Sequence, residues 1–113
     1  MVDDDSDIAQ LFKIGLEIEG FEVDAYANAV EVLKNFKCGY YDVIISDINM
    51  PNINGFELCK ELLRKDGQVK VFFVSAFPIY NNDLNVQFPN LNHKHFIEKP
   101  VSISQLIKTI DEC

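Results

Sequence analysis

The sequence predicts an α/β fold in which a parallel sheet is covered by helices on both faces. Two observations carry this expectation. Compact β-branched or aromatic runs at residues 42–47 and 69–76 have the near-continuous apolar character of strands buried on both sides. Segments of helical periodicity alternate with such runs, and strands separated by helices of roughly 10–15 residues imply right-handed crossovers between parallel neighbours.

Taken in order, residues 6–19 carry Ile8, Leu11, Phe12, Gly15, Leu16 and Ile18 as a helical stripe, which Gly20 ends. Residues 21–26 are short and strand-like. Residues 29–36, with Val30, Leu33 and Phe36, predict a second helix closed by Gly39. The strand at 42–47 follows. Residues 55–66 are helical, with Phe56, Cys59, Leu62 and Leu63 inward, Glu57, Lys60, Glu61 and Arg64 outward, and Gly67 as the stop. The run at 69–76 is the most apolar in the chain. Residues 95–98 predict a last strand, ended by Pro100. Ser102-Ile103-Ser104-Gln105 then fits a capping box, a hydroxyl at the N-cap with an amide three residues later. The closing helix places Ile103, Leu106, Ile107 and Ile110 on one side. Residues 78–94 hold two prolines and five asparagines, so any helix there is short or irregular.

Length and composition limit the function. A chain of 113 residues, 48% hydrophobic, fits one compact domain and is too apolar for a disordered acidic tail. A net charge of −8 argues against direct binding of nucleic acid, because phosphate contacts need clustered Lys and Arg. No apolar run approaches a membrane span, and Met1-Val2-Asp3-Asp4-Asp5 has neither part of a signal peptide. The expectation is a soluble, cytoplasmic protein. The three cysteines lack metal-ligand spacing and read as reduced thiols. His93 and His95 read as surface residues of an irregular loop.

The polar residues fall where the chemistry of such sheets is found. Asp3 and Asp4 follow the apolar start, Asp47 ends one strand, Ser75 ends the next, and Lys99 follows the last. Ligands of open α/β sheets bind at the carboxyl ends of the strands. Asp3, Asp4 and Asp47 brought together repel one another unless a cation sits among them, and hard oxygen donors suit Mg²⁺. A lysine and a hydroxyl beside them could bind phosphoryl oxygens, completing a set suited to phosphoryl transfer. Singly, Asp5 and Asp7 read as turn or cap residues.

These residues resemble a known family. Val2-Asp3-Asp4-Asp5-Ser6-Asp7-Ile8, the run Tyr41 through Pro51, Gly55, Val74-Ser75-Ala76 and Lys99-Pro100 look like the receiver domain of two-component response regulators, as in chemotaxis regulators. The likeness covers nearly the whole chain, with intervals of 43, 28 and 24 residues from Asp4 to Asp47, to Ser75 and to Lys99. It implies a single domain over residues 1–113 with a flavodoxin-like, doubly wound sheet of five parallel strands in the order 2-1-3-4-5. It further implies that Asp47 accepts the phosphoryl group, and that Asp3, Asp4, Asp47 and the backbone carbonyl of Asn49 hold Mg²⁺. Ser75 and Lys99 are then expected on the phosphoryl oxygens, with Ser75 and Phe96 moving together as a switch. Such a domain catalyses only its own phosphorylation and dephosphorylation. Its partners are a sensor histidine kinase or phosphotransfer protein and a downstream protein target, with no direct nucleic-acid or membrane role. The alternatives are a phosphorylation-independent binding module on the same fold and a Mg²⁺-dependent phosphohydrolase. Asn49 in place of a carboxylate two positions after Asp47 argues against the latter.

Two departures from the family pattern generate expectations. Only Met1-Val2 precede the acidic pair, so the first strand is expected to be very short, as in a trimmed sequence. A version carrying about five added upstream residues, which would extend apolar burial, is predicted to melt several degrees higher; equal melting temperatures refute this. Phe77 puts a bulky apolar group two residues after Ser75 and is expected to hinder attacking water. The phosphorylated form of Phe77→Glu should therefore decay faster than that of the parent, and a slower decay counts against the idea.

Overall fold

The computed structural model describes residues 1–48, 55–75, 95–98 and 102–112. Its elements run α1 (Ser6–Ile18), α2 (Ala29–Asn35), β1 (Val43–Asp47), α3 (Gly55–Lys65), β2 (Lys70–Ser75), β3 (Phe96–Glu98) and α4 (Ile103–Glu112). The three strands lie parallel in the order β1-β2-β3. Ile45 pairs with Phe72 and Asp47 with Val74, while Phe96 pairs with Phe73 and Ser75 with Glu98. On the free side of β1, Val2 forms parallel bridges to both Ser46 and Tyr26.

Alternation along the strands builds two separate cores. Ile44, Val71 and Phe73 face one way, packing with Val2 and with Val32, Leu58, Cys59 and Leu62 of α2 and α3. Ile45, Phe72 and Val74 face the other, against Phe12 and Leu16 of α1 and Leu106 and Ile110 of α4. The side chains of β2 from Val71 to Val74 are fully buried. Each buried Phe or Val of this run contributes on the order of 1.5–3 kcal/mol. Among the described residues no helix is long and apolar enough to cross a membrane.

Local chemistry sets the element ends. Asp5 caps α1, its carboxylate accepting from Asp7 N and Ile8 N at 3.0 and 3.3 Å. At the other end Gly20, at φ +99°, lets Gly20 N reach Glu17 O and Phe21 N reach Leu16 O, the paired bonds of a Schellman stop. The predicted capping box of α4 is present: Gln105 N donates to Ser102 Oγ at 3.1 Å and Ser102 N to Gln105 Oε1 at 3.2 Å. The buried carboxylate of Asp66 accepts from Gly39 N (2.8 Å) and Gln68 N (3.0 Å), tying together two loops distant in sequence. Gly39 has φ +78°, a backbone setting in which a side chain is strained.

Several expectations change. The segment at 21–26 is not a regular strand; it meets its neighbour through a bridge at Tyr26, with Tyr26 N donating to Met1 O and Asp3 N to Tyr26 O, and through the Met1 amino group donating to Asp24 O at 3.0 Å. The stripe of α1 is narrower than drawn. Ala9, Phe12 and Leu16 are its buried line, whereas Leu11 and Ile18 face outward at 66% and 77% exposure. In α2 the buried residues are Ala29 and Val32, and Val30 is exposed. Leu58 joins the inner face of α3. His95 is half-buried: its ring stacks on Phe72 at 5.1 Å and its Nδ1 lies 2.9 Å from the Val71 carbonyl oxygen. An imidazole can bury a flat face against an aromatic ring while satisfying a backbone group at its edge, which explains the departure. The irregular stretch at 78–94 and Phe77 lie outside the described residues.

Gly55 fixes where α3 begins. Its N–H donates to Ile48 O at 2.8 Å, and a β-carbon there would collide with the Asp47 carbonyl oxygen and lie 3.0 Å from Ile48 Cα. Both obstacles are backbone. Gly55→Ala is therefore predicted to cost about 1–3 kcal/mol in urea denaturation, and an unchanged midpoint would show that the contact relaxes freely.

Candidate functional site

Backbone hydrogen bonds bring the acidic residues to one rim. Val2 N donates to Ile45 O and Asp47 N donates to Val2 O, both at 2.8 Å. Asp3 therefore emerges beside Asp47 at the carboxyl ends of their segments. Asp3 is fully buried and Asp47 is 6% exposed, while Asp4 is open to solvent. One carboxylate oxygen from each of Asp3, Asp4 and Asp47 lies within 4.8 Å of the others.

Further bonds hold these groups in place. Asp3 Oδ1 accepts from Asp5 N at 3.0 Å, a short-range turn that orients the buried carboxylate. Because Asp5 also caps α1, the helix is locked to the acidic rim by two consecutive side-chain bonds. Ser46 Oγ, buried, donates to the Asp47 carbonyl at 2.9 Å, on the same backbone unit that Gly55 touches. Ser75 ends β2, 2% exposed and one residue beyond the Val74 that pairs with Asp47. Phe96 is half-buried, its ring 5.3 Å from that of Phe73 and nearly parallel to it. Asn49, Lys99 and Pro100 lie outside the described residues.

Chemically, the rim is a hard-donor set. Two buried carboxylates within 4.8 Å of each other repel by about 3–4 kcal/mol at an effective dielectric near 20. A small divalent cation relieves that repulsion, and the exposed Asp4 leaves the site open to water, which suits an ion that keeps part of its hydration shell. The residues thus fit Mg²⁺. Behind the rim, Cys59 is not a ligand candidate: burial pushes its thiol up to about 12, and it packs in the core. Sequence reasoning placed Asp3, Asp4 and Asp47 together correctly. It missed the parts that Ser46 and Asp5 N–H play in holding them; the Asp-x-Asp spacing from Asp3 to Asp5 was the available signal for the second.

Comparison with known proteins agrees with this geometry. The family model described as the response regulator receiver domain matches residues 1–111. The nisin biosynthesis regulatory protein NisR of Lactococcus lactis is 32% identical over 111 residues, which are 98% of this chain and 47% of that protein. The chain thus spans about half the length of this curated relative, and less of the C4-dicarboxylate transport regulator DctD of Rhizobium meliloti, of which it covers 23%. Among solved structures, a response regulator receiver domain protein from Clostridium thermocellum superposes with a TM-score of 0.85 at 27% identity, over 98% of this chain and 88% of that one. The response regulator TrrA from Thermotoga maritima, solved in complex with Mg²⁺ and beryllium fluoride, gives a TM-score of 0.80 at 32% identity, over 98% and 93%. By its sequence, its parallel α/β architecture and its acidic rim, the chain belongs to the response regulator receiver domain family.

Proposed function

We propose that this domain is a phosphorylation switch in which Asp47 takes a phosphoryl group from the phosphohistidine of a sensor kinase or phosphotransfer protein. The observation that carries the reading is the convergence of Asp3, Asp4 and Asp47 within 4.8 Å beside the end of β1. A carboxylate oxygen of Asp47 attacks phosphorus, the new phosphorus–oxygen bond forms as the phosphorus–nitrogen bond to the donor breaks, and the imidazole leaves. Asp3, Asp4, Asp47 and the backbone carbonyl of Asn49 are the proposed Mg²⁺ ligands. When bound, the ion neutralises charge on these carboxylates and on the phosphoryl oxygens. Ser75 and Lys99 are assigned to the phosphoryl oxygens, the hydroxyl as a donor and the ammonium as a point charge.

The reading extends to the whole domain. Residues 1–113 form one receiver unit whose sheet has five parallel strands in the order 2-1-3-4-5, the short segment at Val2 counting as the first strand and lying between the Tyr26 segment and Val43–Asp47. The bridges of Val2 to Tyr26 and Ser46 support that arrangement. Phosphorylation repositions Ser75 and Phe96 together, changing affinity for a downstream protein target in the cytoplasm. It shifts the equilibrium only by its differential affinity for two states. No turnover of external substrate is assigned to the domain.

The test is incubation with acetyl phosphate and Mg²⁺ followed by intact mass. The parent chain should gain one phosphate, Asp47→Ala none, and chelation with EDTA should abolish the gain. Asp3→Asn should raise the Mg²⁺ concentration needed for half-maximal labelling by at least about tenfold, since a charged oxygen donor becomes a neutral one. Labelling of Asp47→Ala to the parent's extent, or turnover of small phosphate esters, would refute the assignment.

A further inference from the structure

Three aromatic rings form a closed group between the phosphoacceptor and β3. Phe56 meets Phe73 edge-on at 4.9 Å, Phe73 stacks on Phe96 at 5.3 Å with 17° between the planes, and Phe56 and Phe96 lie 6.5 Å apart at 59°. Phe73 is fully buried, while Phe56 and Phe96 are half-buried against the same core. Aromatic pairs at these separations have directional preferences, so the orientation of one ring biases the next.

Phe56 also follows Gly55, and this neighbour gives it a second connection. The Gly55 backbone is bonded to Ile48 O and packed directly on the Asp47 carbonyl. A backbone-to-backbone contact has no rotamer to absorb a displacement. The first turn of α3 must therefore follow the Asp47 peptide when it shifts, and Phe56 rides on that turn.

We infer that Phe56 is a positioning residue for the switch, coupling the Asp47 backbone to the ring of Phe96 through the start of α3, alongside the route through Ser75. This rests on the phosphoacceptor reading above. Phosphorylation pulls on the Asp47 unit, α3 transmits the shift, and the Phe56 edge moves against Phe73 and Phe96. A ring that merely filled the core would stabilise the fold without affecting how Phe96 responds.

Fluorine NMR of the full chain carrying 4-fluorophenylalanine at position 96 separates the two cases. With acetyl phosphate and Mg²⁺ the parent's resonance is expected to move. In Phe56→Leu, labelled to the same extent by intact mass, it should lose most of that displacement. Phe56→Tyr, which keeps the ring, should retain it, and Leu106→Val, which loosens the opposite core, should leave it unchanged. A fully labelled Phe56→Leu protein that responds as the parent does, or a Leu106→Val protein that loses the displacement equally, overturns the coupling. Should Phe56→Leu fail to fold, Phe56→Met carries the same comparison. If the parent itself is never labelled, the phosphoacceptor reading fails and this inference with it, whereas labelling without a Phe56 effect defeats only the inference.

Discussion

Two hydrogen bonds of 2.8 Å, from Val2 N to Ile45 O and from Asp47 N to Val2 O, set the geometry on which the rim depends. They fix the register of a very short segment against β1, and register decides which side chains meet. A slip of one residue would turn Asp3 away and bring a neighbour to the side of Asp47. The segment holds its place because Val2, only 2% exposed, is bridged on both sides and packs into the core shared by α2 and α3. One buried valine thus positions a buried carboxylate, and the acidic rim follows from apolar packing behind it.

The same rim carries an electrostatic constraint. Buried like charges oppose folding unless something compensates, and here much of the compensation is built from backbone: Asp5 N–H to Asp3, and the capped start of α1 behind it. The remainder is suited to a cation. The tight contact of Gly55 with the Asp47 carbonyl places α3 hard against the same unit. A charge gained at Asp47 would act on the start of α3 through this backbone contact, which is what the proposed switch requires.

Much of this was readable in the sequence, and the unread parts share a cause. Caps and stops are local, so Gly20 and the Ser102–Gln105 box were visible from residue type and spacing alone. Buried parallel strands were visible because both faces are apolar. The faces of α1 and α2 were harder. In α1, apolar residues occupy more than one side, and only tertiary packing chooses Phe12 and Leu16 over Leu11 and Ile18. His95 was misread because its burial depends on Phe72, more than twenty positions earlier. The convergence of Asp3, Asp4 and Asp47 was legible through strand-end logic, since the fold brings such ends together irrespective of loop detail. Asn49 and Lys99 lie outside the described residues, so their proposed roles rest on family resemblance.

Asp66 gives the sheet an asymmetry along the strand axis. Its carboxylate is buried like that of Asp3, yet it sits away from the acidic rim and is satisfied by two peptide N–H groups, those of Gly39 and Gln68. At that end a buried carboxylate is held by the amides of two loops, whereas at the rim oxygens of three carboxylates lie within 4.8 Å of one another. A cation at the rim would thus change the charge balance at one end of a domain whose other end is already tied by its own loops.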